Sequence, residues 1–170
     1  MGARVAIQHG DFDAGVEIGA LREGDGGVGA VAAFIGTVRD RSDGALVESM
    51  ELEHYPGMTE ASIEAMIDAA FARFSIRGAR VVHRIGMLAA REQIVLVAVS
   101  SAHRGEAFQA CEFLMDYLKT QAPFWKKEGS GSDVRWVDAR VSDDAALARW
   151  GIEAANAPAS PAAPSSVDSS

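Results

Sequence analysis

Lys119, Lys126 and Lys127 fall within nine residues, KTQAPFWKK, that carry no acidic side chain. Phe124 and Trp125 interleave with them, and Pro123 imposes a turn that folds Lys126 back toward Lys119. A lysine beside other cations, or partly desolvated, holds its proton less firmly and can act in acid–base or covalent chemistry. A plainer reading also stands: Lys119 simply suits the C-terminus of a helix, where the macrodipole favours a cation. The residues alone leave both open.

A second cluster is Ser100-Ser-Ala-His-Arg-Gly105, where an apolar run ends and a helix begins. Backbone N–H groups at a helix start attract anions, and His103 and Arg104 would reinforce that preference. A solvated helix cap is the competing reading. Arg39, at the end of the apolar stretch AAFIGTV, is placed to fork onto a phosphate.

Three other features carry less. Gly24 to Gly29 matches G-x-G-x-x-G as a string, but a helix is expected before it and a strand after it, the reverse of a dinucleotide site. Glu51 and Glu53 would face one side of a strand and His54 the other, so the three do not converge on a metal. Cys111 lies on the apolar stripe of a helix without a cationic neighbour, which suits packing rather than nucleophilic chemistry.

These residues need elements to hold them. Strands are expected at 4–8, 28–38, 48–54, 79–87, 94–101 and 135–140. Helices are expected at 11–21 with Asp11 as cap, at 59–74, at 103–120 and at 143–150 with Ser142 as cap. Ile63, Met66, Ile67, Ala70, Phe71 and Phe74 form one helical stripe, and Phe108, Cys111, Met115 and Leu118 another. Residues 39–45 and 129–133 read as polar, glycine-containing loops. The order β-α-β-β-α-β-β-α-β-α indicates an α+β domain over 1–153, followed by a disordered Ala/Pro/Ser tail over 154–170.

Composition excludes several classes. The 170 residues are 48% hydrophobic and 24% charged, ordinary for a globular domain and unlike a disordered or collagen-like chain. Sixteen basic against 24 acidic residues give a net charge of −8, which argues against nucleic-acid binding. No apolar run is long enough for a membrane span, and the N-terminal residues lack the form of a signal peptide. One cysteine permits no internal disulfide, so a cytoplasmic location is expected. No metal site or bound cofactor is expected.

The strings FIGTVRDRS, LEHYPGMTEASI, VVHRIGML, VSSAHRGEAF, FLMDYLKTQAPFWKKE and RWVDAR closely resemble the catalytic (large) subunit family of molybdopterin synthase. They occur in the family's order across residues 3 to 150 and leave only the tail outside the match. The resemblance implies an α/β-hammerhead core with an additional small antiparallel sheet. It implies a sulfurtransferase that moves two sulfurs onto cyclic pyranopterin monophosphate, forming the dithiolene of molybdopterin. Sulfur would arrive as a thiocarboxylate on the C-terminus of a small ubiquitin-like carrier, within a heterotetramer built on a homodimer. By the same resemblance Lys119 and Lys126 are the catalytic pair, and Thr37, Val38, Arg39, His103, Arg104, Lys127 and Glu128 contact substrate. A non-catalytic adaptor that docks a carrier tail and an anion is the alternative reading, and a phosphate-ester hydrolase lacks an activated nucleophile.

Spacing adds a constraint of its own. On one unbroken helix, Arg104 and Lys119 would lie about 22 Å apart along the axis, too far for one small pterin to touch both. Either the helix breaks or the site combines Lys119 of one subunit with Arg104 of its twin, and the second is the expectation.

Overall fold

The computed structural model describes residues 3–42, 44–130, 133–137, 145–146 and 148–152. Its first sheet comprises β1 (Val5–Gln8), β2 (Ala30–Thr37), β6 (Ile76–Arg84) and β8 (Gln93–Ser101), in the order β1-β6-β8-β2. Only the β1–β6 pair is parallel. Strand alternation sends Val81, Val97 and Val99 to one face and Val82, Leu96 and Ala98 to the other. The first face is covered by α2 (Met58–Arg73) and α3 (Arg104–Gln121), whose Ile63, Met66, Ile67, Phe113 and Leu114 complete the main core. The second face packs on Phe12 and on Ile18 of α1 (Ala14–Ala20).

A second sheet, in the order β10-β9-β5-β7, is wholly antiparallel. It contains β5 (Ser49–His54), β7 (Gly86–Ala89), β9 (Phe124–Ser130) and β10 (Asp133–Val137). Met50, Leu52 and Leu88 bury one of its faces together with Val38 and Val47. A two-stranded ribbon, β3 (Arg41–Ser42) with β4 (Ala45–Leu46), lies between the sheets in sequence. The architecture is α+β with a small extra antiparallel sheet, as expected.

Several local expectations are corrected. Asp13, not Asp11, caps α1, its carboxylate accepting from the Val16 N–H at 3.1 Å. The expected strand over 79–87 divides, because Gly86 takes a left-handed φ of 82° and carries the chain from the first sheet to the second. The stretch 124–130, with no strand expected, is the long strand β9, so Gly129, Ser130 and Asp133 of the expected loop are paired strand residues. Its aromatic residues and the partner strand β5 override the polar look of the KKEGS segment. The loop expected over 39–45 likewise holds the β3–β4 ribbon. Phe108, expected on a buried stripe, is 65% exposed, and Phe71 is 38% exposed. The expected strand end at 138–140, residues 143, 144 and 147 of the expected helix 143–150, and the tail 154–170 lie outside the described residues.

Candidate functional site

Helix α3 runs from Arg104 to Gln121 without a break. Lys119 sits in its last turn, where the helix dipole favours a cation. Ala122 is extended, and Pro123 ends the helix. The chain then enters β9, so Lys126 stands on a strand of the other sheet, seven residues after Lys119. The bend between the two lysines is held from three directions. The Thr59 hydroxyl donates to the Pro123 carbonyl at 3.3 Å, the His83 ring stacks on Phe124 at 3.8 Å, and Tyr55 meets Trp125 edge-on at 4.0 Å. Burial pushes the His83 imidazole down to about 4, so it is neutral at pH 7.

Register separates the neighbouring lysines. Lys126 lies opposite Leu52 and Lys127 opposite Glu51. Alternation therefore puts Lys126 on the face that carries Leu52 and Val38, and Lys127 on the opposite face. There the Lys127 Nζ is 3.2 Å from Glu53 Oε1 and 3.6 Å from Glu51 Oε2. The backbone of Glu128 lies opposite Met50.

Thr37, Val38 and Arg39 close β2 at a register irregularity after Gly36. Val38 is buried, its N–H donating to the Glu92 carbonyl at 2.9 Å and its carbonyl accepting from Arg91 N–H at 2.8 Å. With Val38 anchored, the exposed Arg39 projects from a fixed strand end.

The chain path decides which residues meet. Ala30 pairs with Ser101 and Thr37 with Gln93, so β2 runs antiparallel to β8. Helix α3 returns along β8 and therefore runs parallel to β2. Its C-terminal end, with Lys119, lies toward Thr37–Arg39, and its N-terminal end, with His103 and Arg104, lies toward Ala30. His103 is the extended cap residue of α3, its N–H donating to Ser101 Oγ at 3.3 Å, and both His103 and Arg104 are exposed. One chain thus gathers Thr37, Val38, Arg39, Lys119 and Lys126 at one end and leaves the His–Arg pair at the other.

Between β2 and α3 lies a groove of about 380 Å³. Ala32, Ala33 and Phe34 form one wall, and Phe108, Cys111 and Met115 the other, with Lys119 at one end. Glu112 and Asp116 also line it. Among the described residues β2 is an edge strand, so the outer side of its backbone along this groove has the geometry to pair with an extended peptide. Phe34 is 40% exposed, which marks an apolar surface awaiting cover. Sequence reasoning missed this groove. Its signal was the unbroken apolar run of β2, where an edge strand should alternate.

Cys111 lines the groove but is buried, and burial pushes its thiol up to about 11. The strand alternation expected for Glu51, Glu53 and His54 is present, with His54 Nε2 3.7 Å from Glu60. Among the described residues no three His, Cys, Asp or Glu side chains converge as a metal site, and no helix is long and apolar enough to cross a membrane.

Comparison with known proteins gives a consistent picture. Residues 7–121 match the profile of the MoaE protein family. The chain is 58% identical over 164 residues to a molybdopterin synthase catalytic subunit from Ralstonia nicotianae, covering 96% of this chain and 93% of the relative. A solved structure of molybdopterin cofactor biosynthesis protein E from Burkholderia multivorans is 54% identical, covers 89% of this chain and 98% of its own, and superposes with a TM-score of 0.76. The fold is also that of a protein–protein complex of subunits 1 and 2 of molybdopterin-converting factor from Helicobacter pylori, with a TM-score of 0.68 at 20% identity over 81% of this chain and 92% of that one.

Proposed function

This chain belongs to the MoaE family, the catalytic subunits of molybdopterin synthase, and we propose how its residues divide the work of that enzyme. The chain is a sulfurtransferase of molybdenum cofactor biosynthesis. Its partner is the small subunit of the synthase, a ubiquitin-like carrier whose C-terminal thiocarboxylate supplies sulfur. The acceptor is cyclic pyranopterin monophosphate, which receives two sulfurs.

The observation that carries this division is the groove between β2 and α3, an apolar trough along an edge strand that ends at Lys119. An extended carrier tail lies in it, pairing with β2 and covering Phe34 and Phe108, and delivers its terminal carbonyl to Lys119. The thiocarboxylate sulfur bonds to the pterin carbon. Water then adds to the carrier carbonyl through a tetrahedral centre whose C–S bond breaks, leaving sulfur on the pterin and a carboxylate on the carrier. The Lys119 ammonium stabilises the developing oxyanion there. Lys126 adds charge and positions substrate, and a lysine that is neutral for part of the cycle shuttles the proton that the departing hydroxyl takes up as the phosphate ring opens and water leaves. Arg39, fixed behind the anchored Val38, forks onto the phosphate, and Thr37 and Val38 frame the same end. Lys127 and Glu128 bound the substrate from β9.

His103 and Arg104 are assigned to the site of a twin subunit. The helix that separates them from Lys119 is unbroken, so a homodimer in which each site draws on both chains brings the two ends together.

A single-turnover assay with thiocarboxylated carrier and cyclic pyranopterin monophosphate tests the reading. Wild type should form product, and Lys119→Arg, which keeps the charge but changes its geometry and proton chemistry, should lose about 100-fold or more. An unimpaired Lys119→Arg would remove Lys119 from the chemistry. No product from wild type, with carrier binding intact, would favour an adaptor.

A further inference from the structure

Lys119 shares its helix face with two carboxylates. Asp116 stands three residues before it and Glu112 seven before it, and all three line the groove. An acid placed N-terminal to a lysine at such spacing is in the favourable order for an ion pair. That pair would draw the Lys119 ammonium back along the helix, away from the end of the groove.

The structure shows both carboxylates engaged elsewhere. Asp116 Oδ2 accepts from Arg149 Nη2 at 2.7 Å, from Arg149 Nε at 3.3 Å and from the Trp150 indole N–H at 2.7 Å. Glu112 Oε1 accepts from the same Arg149 Nη2 at 2.8 Å. Trp150 fixes this arrangement, packing edge-on against Phe74 at 5.9 Å and Phe113 at 5.6 Å. The Arg73 guanidinium lies 5.6 Å from the rings of both Phe113 and Trp150. Among the described residues Lys119 makes no ion pair.

We propose that Arg149 is a positioning residue for the reaction: seated by Trp150, it occupies Asp116 and Glu112 and so leaves the Lys119 ammonium free to face the groove. This inference rests on the assignment of Lys119 as a catalytic lysine. It gives the segment after β10 a task that the carrier groove and the substrate contacts do not explain. Asp116 is the principal competitor, because its side chain is only 13% exposed and an ion pair there is less screened than one at Glu112, which is 54% exposed.

A mutant cycle in the single-turnover assay tests it, using full-length protein with thiocarboxylated carrier. Arg149→Ala should lower the rate constant about three- to tenfold, more than an exposed helix pair alone would give because Asp116 is largely buried. Arg149→Lys, which keeps a cation at the carboxylates, should retain at least about half of the activity. The deciding variant is Arg149→Ala combined with Asp116→Asn, which should return to the rate of Asp116→Asn alone within about twofold, because no Asp116 carboxylate remains to capture Lys119. A merely structural Arg149 would show no such rescue. If Arg149→Ala does not fold, Arg149→Gln enters the same cycle. Unchanged activity in the Arg149 variant, a double variant no faster than that single variant, or Asp116→Asn alone as slow as it would each overturn the proposal. The underlying assignment fails separately, through an active Lys119→Arg.

Discussion

Arg104 and Lys119 occupy opposite ends of one continuous helix, about 22 Å apart along its axis. The proposed site uses both residues on one pterin phosphate, which is far shorter than that span, and so draws them from two chains. A site shared across a dimer makes a specific demand on mixtures. Neither Lys119→Ala nor Arg104→Ala dimers should transfer sulfur well. Refolded or co-expressed mixtures contain hybrids in which one of two sites keeps both residues, and they should recover about a quarter of wild-type activity at random assembly. Verified hybrids that stay as inactive as the parents would place the whole site within one chain.

Lys126 and Lys127 are adjacent in sequence but face opposite sides of β9. Lys126 shares the side of Leu52 and Val38, whereas Lys127 pairs with Glu51 and Glu53. Lys126→Ala should therefore lower the single-turnover rate constant about 100-fold or more, as loss of a group acting in the transition state does. Lys127→Ala should act mainly on KM and leave that rate constant within about tenfold. Equal losses in rate constant from both would mean that β9 twists or shifts its register when substrate binds.

The periodic parts of this fold were legible in the sequence. Ile63, Met66, Ile67 and Ala70 announced α2, and the apolar run from Ile94 announced β8. The end of α3 just after Lys119 was legible too, because Pro123 had to end the helix. What escaped notice depends on partners distant in the chain. β9 is polar enough to pass for a loop, and it becomes a strand because β5 and β10 pair with both its edges. The groove escaped because an edge strand and a helix separated by about 70 residues build it together. Phe108 shares the helical stripe of Cys111 and Leu118, which are buried, but is itself 65% exposed, with no described residue covering it.

Gly29, the last glycine of the string that mimics a nucleotide loop, is required for close backbone approach. A Cβ at this position would stand 2.2 Å from the Ala102 carbonyl oxygen, on the segment leading into His103. The Gly29 N–H already donates to the Ser101 carbonyl at 3.0 Å, so the two strands cannot separate without losing that bond. Gly29→Ala should destabilise the fold by about 3 kcal/mol, a fall in Tm on the order of 6–12 °C for a domain of this size. Gly26→Ala, where a Cβ meets nothing within 4 Å, should change stability by no more than about 0.5 kcal/mol. Thermal melts of the two variants side by side decide it, and equal Tm values would contradict the close approach.

His83 links acid stability to the strand that carries Lys126. Its ring lies buried on Phe124, and Nδ1 is 2.8 Å from the Arg84 carbonyl, which makes that nitrogen the donor. Burial lowers its pKa to about 4 in the folded chain, against about 6.5 when unfolded, and nearby His54 pushes in the same direction. Between those values the unfolded chain takes up a proton that the folded chain refuses. Stability from neutral His83 is therefore complete above pH 6.5 and is lost as the pH falls toward 4. The loss amounts to about 3 kcal/mol across the window. Urea unfolding at pH 7 and pH 4.5 should show wild type losing about 2–3 kcal/mol more than His83→Asn, whose amide keeps a donor near Nδ1 but does not titrate. Comparing the two chains cancels the carboxylates they share. An identical loss in both would mean that water reaches the imidazole and that His83 titrates in the folded chain as it does in the unfolded one.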